Sequence, residues 1–146
     1  MRDLARNKKA YHDYEILEEI EAGLVLLGSE IKAIRKSKLS LAESYISFKA
    51  NEAFIKNMHI SNLSEVNFFK HDELRDKKLL LHKKEITYLN TKVKKDGLSI
   101  IPLKLYLVKG RAKILIALAR GKKLYDKRLD QKIKDMNLQA KKLLNR

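Results

Sequence analysis

The chain has 146 residues, enough for one domain with a modest core and too few for two. It contains no Cys, which excludes disulfides, thiol nucleophiles and cysteine metal sites, and no apolar run long enough for a transmembrane helix. The 33 Lys and Arg against 18 Asp and Glu give a net charge of +15. That excess indicates a polyanionic partner, either nucleic acid or an anionic membrane surface.

The N-terminal third predicts a basic arm followed by β-structure. Residues 1–12 are cationic without clear periodicity, so we expect a mostly extended arm, and no apolar stretch follows that would make a secretory signal. Residues 13–21 alternate as a strand with an acidic outer face. Ala22-Gly23 then predicts a turn into a short buried strand at residues 24–27.

A helix and a hairpin are expected next. Gly28-Ser29 is typical of a break with a helix N-cap, and Ile31, Ile34 and Leu39 mark the apolar side of a short helix. Residues 44–49 and 53–58 are rich in β-branched and aromatic side chains on either side of a polar turn, which predicts a β-hairpin. Residues 61–76 are polar and irregular.

The clearest signals lie between residues 83 and 118. Apolar residues at helical spacing predict a helix from Lys83 to about Asp96, with Gly97 just beyond its end. Residues 99–107 and 112–118 alternate between apolar and polar positions around Lys109-Gly110, which predicts a second hairpin. Pro102 predicts an edge position or a bulge in its first strand.

These elements favour a mainly β fold: an antiparallel, oligonucleotide-binding-like barrel of about six strands with short flanking helices and a basic C-terminal tail. The expected divisions are an arm at 1–12, an RNA-binding barrel at 13–120 and a tail at 121–146. The tail has a narrow apolar stripe on a basic segment. It could pack on the domain, but we favour a tail that is disordered when free and helical on a charged partner.

No catalytic constellation is apparent. The four His residues are scattered without a metal-binding or acid–base spacing, and the Gly-Lys-Lys at 121–123 lacks the context of a phosphate-binding loop. We therefore predict no enzyme activity, no cofactor and no metal. Three cationic clusters, at 6–12, 75–78 and 121–128, favour nucleic acid over a membrane. The first and third include aromatic residues, and the tail stripe lacks the bulky aromatic residues of a membrane-surface helix.

Eight segments, in order, resemble the SmpB family of SsrA-binding proteins over roughly residues 5–130. They include ARNKKAYHDY from Ala5, EAGL from Glu21, GSEIKAIR from Gly28, NMHI from Asn57, KLLLHKKEI from Lys78, PLKLY from Pro102, GRAK from Gly110 and GKKLYDKR from Gly121. Two positions depart from the family pattern: Glu73 stands where many members have Pro, and Tyr125 where some have His.

The resemblance implies a barrel that binds the tRNA-like domain of transfer-messenger RNA (tmRNA). With elongation factor Tu, such a protein helps to deliver the alanylated RNA to stalled ribosomes, where its tail reaches the decoding centre and the empty message channel. The nascent chain is tagged and the ribosome released, in the cytoplasm, without a covalent step by the protein and without a membrane partner.

The resemblance also implies two sets of functional residues. The expected RNA-binding set is Asn7, Lys8, Lys9, His12, Glu21, Lys78, Leu80 and Lys83. The expected ribosome-binding tail set is Lys122, Lys123, Tyr125, Asp126, Lys127, Arg128, Ile133 and Met136. Without the resemblance, Glu21 is one more acid on an acidic strand and Leu80 an ordinary core residue. Composition alone equally suits a ribosomal or RNA-chaperone barrel protein, and a small ribonuclease is a more distant alternative.

Overall fold

The structure, a computed structural model, describes residues 3–63 and 71–122. The order of elements is β1 Asp3–Arg6, α1 Lys8–Asp13, β2 Tyr14–Leu24, α2 Gly28–Arg35, β3 Leu39–Ser40, β4 Tyr45–Lys49, β5 Glu52–Lys56, β6 His59–Ile60, β7 Lys77–Leu80, α3 Lys83–Asp96, β8 Ser99–Val108 and β9 Arg111–Gly121. The predictions for the tail beyond Lys122 lie outside the described residues.

Seven strands form one antiparallel sheet in the order β1-β8-β9-β2-β7-β5-β4, and β3 pairs with β6 in a separate ribbon. The large sheet curls until β4 contacts β8. Within the described residues no ladder joins these two strands, so the barrel stays open along this seam. A cleft of about 470 Å³ lies there, beside α1. The prediction of a mainly β, antiparallel barrel-like domain with short helices is confirmed. The sequence did not predict that the barrel is open between β4 and β8.

The main core lies between the concave side of the sheet and the helices α2 and α3. Fully buried side chains from these elements include Ile34, Ile55, Leu79, Leu89 and Ile114. Only Ile86 and Leu89 of α3 are buried. The apolar stripe of this helix is therefore regular but narrow. Burial of such side chains stabilises the fold by roughly 1.5–3 kcal/mol each.

Both predicted hairpins are confirmed. β4 and β5 pair from Tyr45↔Lys56 to Lys49↔Glu52, and β8 pairs with β9 along nearly its whole length. The register of β8 shifts between Pro102 and Lys104, which is the bulge that the proline predicts. α3 ends as expected at Gly97, whose φ of 63° is a left-handed conformation that glycine adopts without strain.

The prediction of a turn at Ala22-Gly23 is wrong. β2 continues through both residues to Leu24, and residues 25–27 are not a strand. Gly23 lies directly opposite Leu80 of β7. A Cβ at position 23 would be 3.1 Å from the Leu80 Cβ, so this glycine is needed for close approach of two strands rather than for a turn.

Three local predictions near the helices are also wrong. The arm is extended only over β1, and residues 8–13 form α1. The N-cap of α2 is Leu27, whose backbone N–H donates to the Glu30 carboxylate at 2.8 Å. Ser29 instead places its hydroxyl 2.9 Å from the His71 ring. Leu39 lies in β3 and not on the helix.

Asn7 connects α1 to the barrel. Its side-chain amide donates to the Pro102 carbonyl at 2.9 Å, and its side-chain oxygen accepts from the Ala10 N–H at the start of α1. Its backbone N–H donates to the Leu103 carbonyl at 2.8 Å. The residue is buried, so each of these groups depends on a protein partner.

The segment before β7 is held by ionic contacts. Glu30 is fully buried and accepts from the Arg75 guanidinium through both carboxylate oxygens, at 2.6 and 3.3 Å. The Lys77 ammonium is also buried and donates to the Met58 carbonyl at 2.7 Å. Burial lowers the pKa of Lys77 from its usual value, while Glu30 opposes that change. These contacts fix the start of β7 against α2.

Glu73 also helps to hold the segment before β7. It stands where many members of the family that the sequence resembles have proline. Its carboxylate accepts from the Asn62 backbone N–H at 2.9 Å and lies 3.6 Å from His59 Nε2. The Asn62 N–H is the main reason that the pKa of Glu73 is lowered. The carboxylate therefore supplies a contact that a proline ring could not make.

We predict that Asn7→Ala lowers the free energy of unfolding by about 1–3 kcal/mol, because it removes the α1 cap and leaves the buried Pro102 carbonyl with one partner fewer. Asn90→Ala, on α3, is the matched control and should be close to neutral. Urea unfolding of both variants measures the difference. Equal stability of the two variants would contradict the anchoring role of Asn7.

Candidate nucleic-acid interface

The convex side of the sheet carries two parallel rows of outward-facing residues. The first row crosses β1, β8, β9 and β2 and consists of Arg6, Lys104, Leu115 and Glu21. The second row extends one strand further, to β7, and consists of Asp3, Tyr106, Lys113, Gly23 and Leu80. We call these two rows the outer face. Directly opposed residues on neighbouring strands point to the same side, so each row lies on one face of the sheet, although Tyr106 and Gly23 of the second row are themselves buried.

A row of core residues separates the two strips. Leu105, Ile114 and Ala22 are directly opposed on β8, β9 and β2, and all three are buried. Because strand side chains alternate between faces, burying this row places its neighbours on the outside. The alternation noted in the sequence of residues 99–118 therefore positions the outer face.

Glu21 is joined to the second row by a hydrogen bond. The Tyr106 hydroxyl donates to the Glu21 carboxylate, and Tyr106 is only 8% exposed. Burial, followed by the effect of Glu21, raises the pKa of Tyr106 to about 12. The tyrosine therefore stays protonated at neutral pH and donates to one carboxylate oxygen of Glu21, whose side chain is exposed.

Leu80 is a surface residue and not part of the core, contrary to what its apolar character suggests. It is 57% exposed, whereas its strand neighbour Leu79 is 1% exposed. Its side chain lies over Gly23, with Cδ1 3.2 Å from the position of an added Cβ. The structure thus brings Glu21 and Leu80, which are distant in sequence, to adjacent positions on the outer face.

Part of the convex side is covered by α1. Ala10 packs with Ile101, Leu103, Ala117 and Ala119 in a small second core. Tyr11, the next residue of α1, is 47% exposed beside the first row. The helix therefore forms one border of the outer face.

The other predicted RNA-binding residues lie on three elements: Lys8, Lys9 and His12 on α1, Lys78 on β7 and Lys83 on α3. Lys8 lies in a pocket with Arg6 and Lys104 at the edge of the first row, and Lys78 projects from β7 with its ammonium 3.2 Å from the Glu52 carboxylate. Lys83 begins α3 and is exposed. Lys9 forms an ion pair with Glu43 by the seam cleft, and the exposed His12 lies 3.0 Å from Asp13.

Asn7 does not lie on the outer face, because its side chain is buried beneath α1. Of the tail set, only Lys122 is described, and its backbone N–H donates to the Asp13 carbonyl at 2.8 Å. The tail residues Lys123, Tyr125, Asp126, Lys127, Arg128, Ile133 and Met136 lie outside the described residues.

Of the outer face, the expected RNA-binding set contained only Glu21 and Leu80, and it missed Lys104, Tyr106 and Lys113 among others. The alternation of β8 does separate Lys104 and Tyr106 from the apolar positions. Their approach to Glu21 depends on which strands pair, and that pairing has no local sequence signal.

A cationic protein with a convex sheet face that combines cations, an exposed leucine and a hydrogen-bonded carboxylate has the general features of a nucleic-acid-binding protein. No cluster of potential metal ligands occurs in the described parts of the chain. Among the helices of the described residues, none has the length and apolar character needed to cross a membrane.

Comparison with known proteins identifies the family of this chain. A sequence model described as "SmpB protein" matches residues 4–146. The chain belongs to the SmpB family.

Individual relatives are similar over most of their length. An SsrA-binding protein of Enterococcus hirae is 51% identical over 141 residues, covering 97% of this chain and 92% of that protein. One from Staphylococcus carnosus is 55% identical over 131 residues, covering 90% of this chain and 84% of that protein. A solved structure, "tmRNA-SmpB: a journey to the center of the bacterial ribosome", aligns with a TM-score of 0.69 and 42% identity, covering 82% of this chain and 85% of that chain.

We predict that Glu21→Ala weakens binding to the tRNA-like domain of tmRNA although it raises the net charge by one. The matched control is Glu18→Ala, which makes the same charge change on the same strand. Glu18 also accepts from a tyrosine, Tyr88 of α3, at 2.6 Å, but it lies on the other face of β2. Filter binding should show a loss for Glu21→Ala only. Tighter binding by Glu21→Ala would contradict the assignment.

The raised pKa of Tyr106 predicts a titration in strong base. In the unfolded chain the phenol ionises near pH 10, and in the folded protein near 12. The folded state therefore loses stability as the pH rises from about 10 to about 12. Phenolate absorbance should show a tyrosine with a pKa of about 12 whose titration Tyr106→Phe removes and Glu21→Gln shifts to lower pH. An unchanged late titration in Glu21→Gln would contradict the coupling of these two residues.

Proposed function

We propose that this chain binds the tRNA-like domain of tmRNA through its outer face and takes part in trans-translation on stalled ribosomes. The observation that carries the proposal is the convergence of Glu21 and Leu80 beside cations in a chain of the SmpB family. The names of its relatives and of the similar structure state binding to SsrA and association of tmRNA–SmpB with the bacterial ribosome.

Each group on the outer face has a role that suits structured RNA. Lys113, Lys78 and Lys8 supply cations for phosphates. Leu80 offers an exposed apolar surface for the face of an unstacked base or for ribose. Glu21 accepts hydrogen bonds from base amino groups or from a 2′-hydroxyl, with its orientation fixed by Tyr106.

Asn7 contributes indirectly in this proposal. It positions α1, and α1 carries Lys8, Lys9 and His12. Lys83 at the start of α3 adds a further exposed cation near β7. Lys9 is available to phosphate only after it leaves Glu43.

The tail leaves the domain far from Leu80. Tyr14 is opposite Gly121 at one end of the β2–β9 ladder, and Gly23 is opposite Lys113 at the other. Nine residues of strand separate the two ends, about 30 Å at about 3.3 Å per residue. This separation supports a division of labour in which the domain holds the RNA and the tail, from Lys122 onward, binds the ribosome at the decoding centre and message channel.

The proposal includes no covalent step by this protein, and it places the chain in the cytoplasm with ribosomes. The alanylated RNA arrives with elongation factor Tu. Sequencing of the RNAs that co-purify with the protein tests the central assignment. Strong enrichment of one RNA with a tRNA-like domain is the expected result. A broad mixture of ribosomal or messenger fragments would instead favour a ribosomal or RNA-chaperone barrel protein.

We predict that truncation after Gly121 leaves binding to tmRNA close to normal and abolishes tagging on stalled ribosomes. Ile133→Pro, which changes no charge, should reproduce much of the tagging defect, because proline in a helix interior costs about 3 kcal/mol. A reconstituted tagging assay and a binding assay on the same proteins measure both effects. Intact tagging after truncation, or loss of RNA binding, would contradict the division of labour.

A further inference from the structure

The edge of the outer face contains a cationic pocket that joins residues of two family motifs, those at 5–14 and 102–106. It has a volume of about 210 Å³ and is lined by Arg6, Lys8, Tyr11 and Lys104. Three different elements supply these residues: β1, α1 and β8. No acidic side chain lines the pocket.

The arrangement of charge in the pocket is unfavourable for the free protein. Arg6 and Lys104 are directly opposed on neighbouring strands, and like charges in that position are destabilising. Asp3 relieves Arg6 through one contact, from Arg6 Nε to its carboxylate at 2.7 Å. Lys8 and Lys104 have no acidic partner among the described residues. A bound anion would remove this repulsion.

The fourth residue, Tyr11, offers an aromatic surface beside the cations. It is 47% exposed, so its ring is accessible from solvent. Burial and the nearby Glu19 raise the pKa of Tyr11, while Arg6 lowers it, so its hydroxyl lies within the field of Arg6. Tyrosine and cations side by side are suited to a base and its phosphate.

We propose that this pocket is a subsite for one nucleotide of the bound RNA, with the phosphate held by Lys104, Lys8 and Arg6 and the base stacked on Tyr11. The subsite deepens the proposed function, on which it rests, because Arg6 and Lys104 belong to the first row, which ends in Glu21. It extends the contact surface across β1 to Arg6, and it adds Arg6, Tyr11 and Lys104 to the expected RNA-binding set, of which Lys8 alone lines the pocket.

Salt-dependent binding tests the phosphate contact. Lys104→Gln keeps most of the side-chain stem and removes the charge, and Lys94→Gln on α3 is the matched control. For the tRNA-like domain of tmRNA, the slope of log affinity against log salt should become shallower by about 1 with Lys104→Gln and stay unchanged with Lys94→Gln. Equal slopes for the two variants would overturn the phosphate assignment.

The two tyrosine variants test stacking. Tyr11→Ala should weaken binding about fivefold or more at every salt concentration, with the wild-type slope, and Tyr11→Phe should bind like the wild type. Wild-type affinity of Tyr11→Ala would overturn the stacking assignment. Thermal melting of the free proteins is a further readout: Lys104→Gln should melt at or above the wild-type temperature, and a lower melting temperature would contradict repulsion in the pocket.

A comparison of two RNAs distinguishes failure of the subsite from failure of the proposed function. A second, unrelated structured RNA of equal length is titrated beside the tRNA-like domain. If the wild-type protein does not distinguish the two RNAs, the proposed function fails, and the subsite still predicts the shallower slope of Lys104→Gln with both. If the protein prefers the tRNA-like domain and Lys104→Gln matches Lys94→Gln, the subsite fails and the function stands.

Discussion

The cross-strand register of β1, β8, β9 and β2 is the constraint on which the candidate interface depends. Leu105, Ile114 and Ala22 are opposed and buried, and that single row forces the residues on either side of it outward. A slip of one residue in any of these strands would send its outward residues into the core. The bulge at Pro102 completes the arrangement, since it shifts the register of β8 before Lys104.

Two buried polar anchors keep the neighbouring elements at the borders of this face. Asn7 connects α1 to β8, and the pair of Glu30 with Arg75 fixes the start of β7 against α2. Breaking a buried ion pair by removing one partner leaves an uncompensated charge and is strongly destabilising. Polar residues beneath the surface therefore determine where Lys8 and Leu80 lie, although they do not themselves face the RNA.

Local patterns in the sequence predicted the second hairpin, α3 and the placement of Lys104 and Tyr106 on the face of β8 opposite its apolar positions. The prediction of a turn at Ala22-Gly23 was wrong because the local sequence does not distinguish a glycine that makes room for Leu80 from a glycine in a turn. Glu21 and Leu80 were identified only through family resemblance, because their proximity depends on the long-range pairing of β2 with β7. The helical residues 8–13 were missed because the cap on α1 is Asn7, whose other contacts come from distant Pro102 and Leu41.

The central claim is that RNA binds the convex side of the sheet and not the side covered by α3. Amide NMR spectra of the labelled protein, recorded with and without the tRNA-like domain of tmRNA, test it most directly. The account predicts that the largest changes fall on the two rows of the outer face, at Lys104, Tyr106, Lys113, Glu21 and Leu80. Changes concentrated instead on α3, around Tyr88 and Lys94, would contradict it.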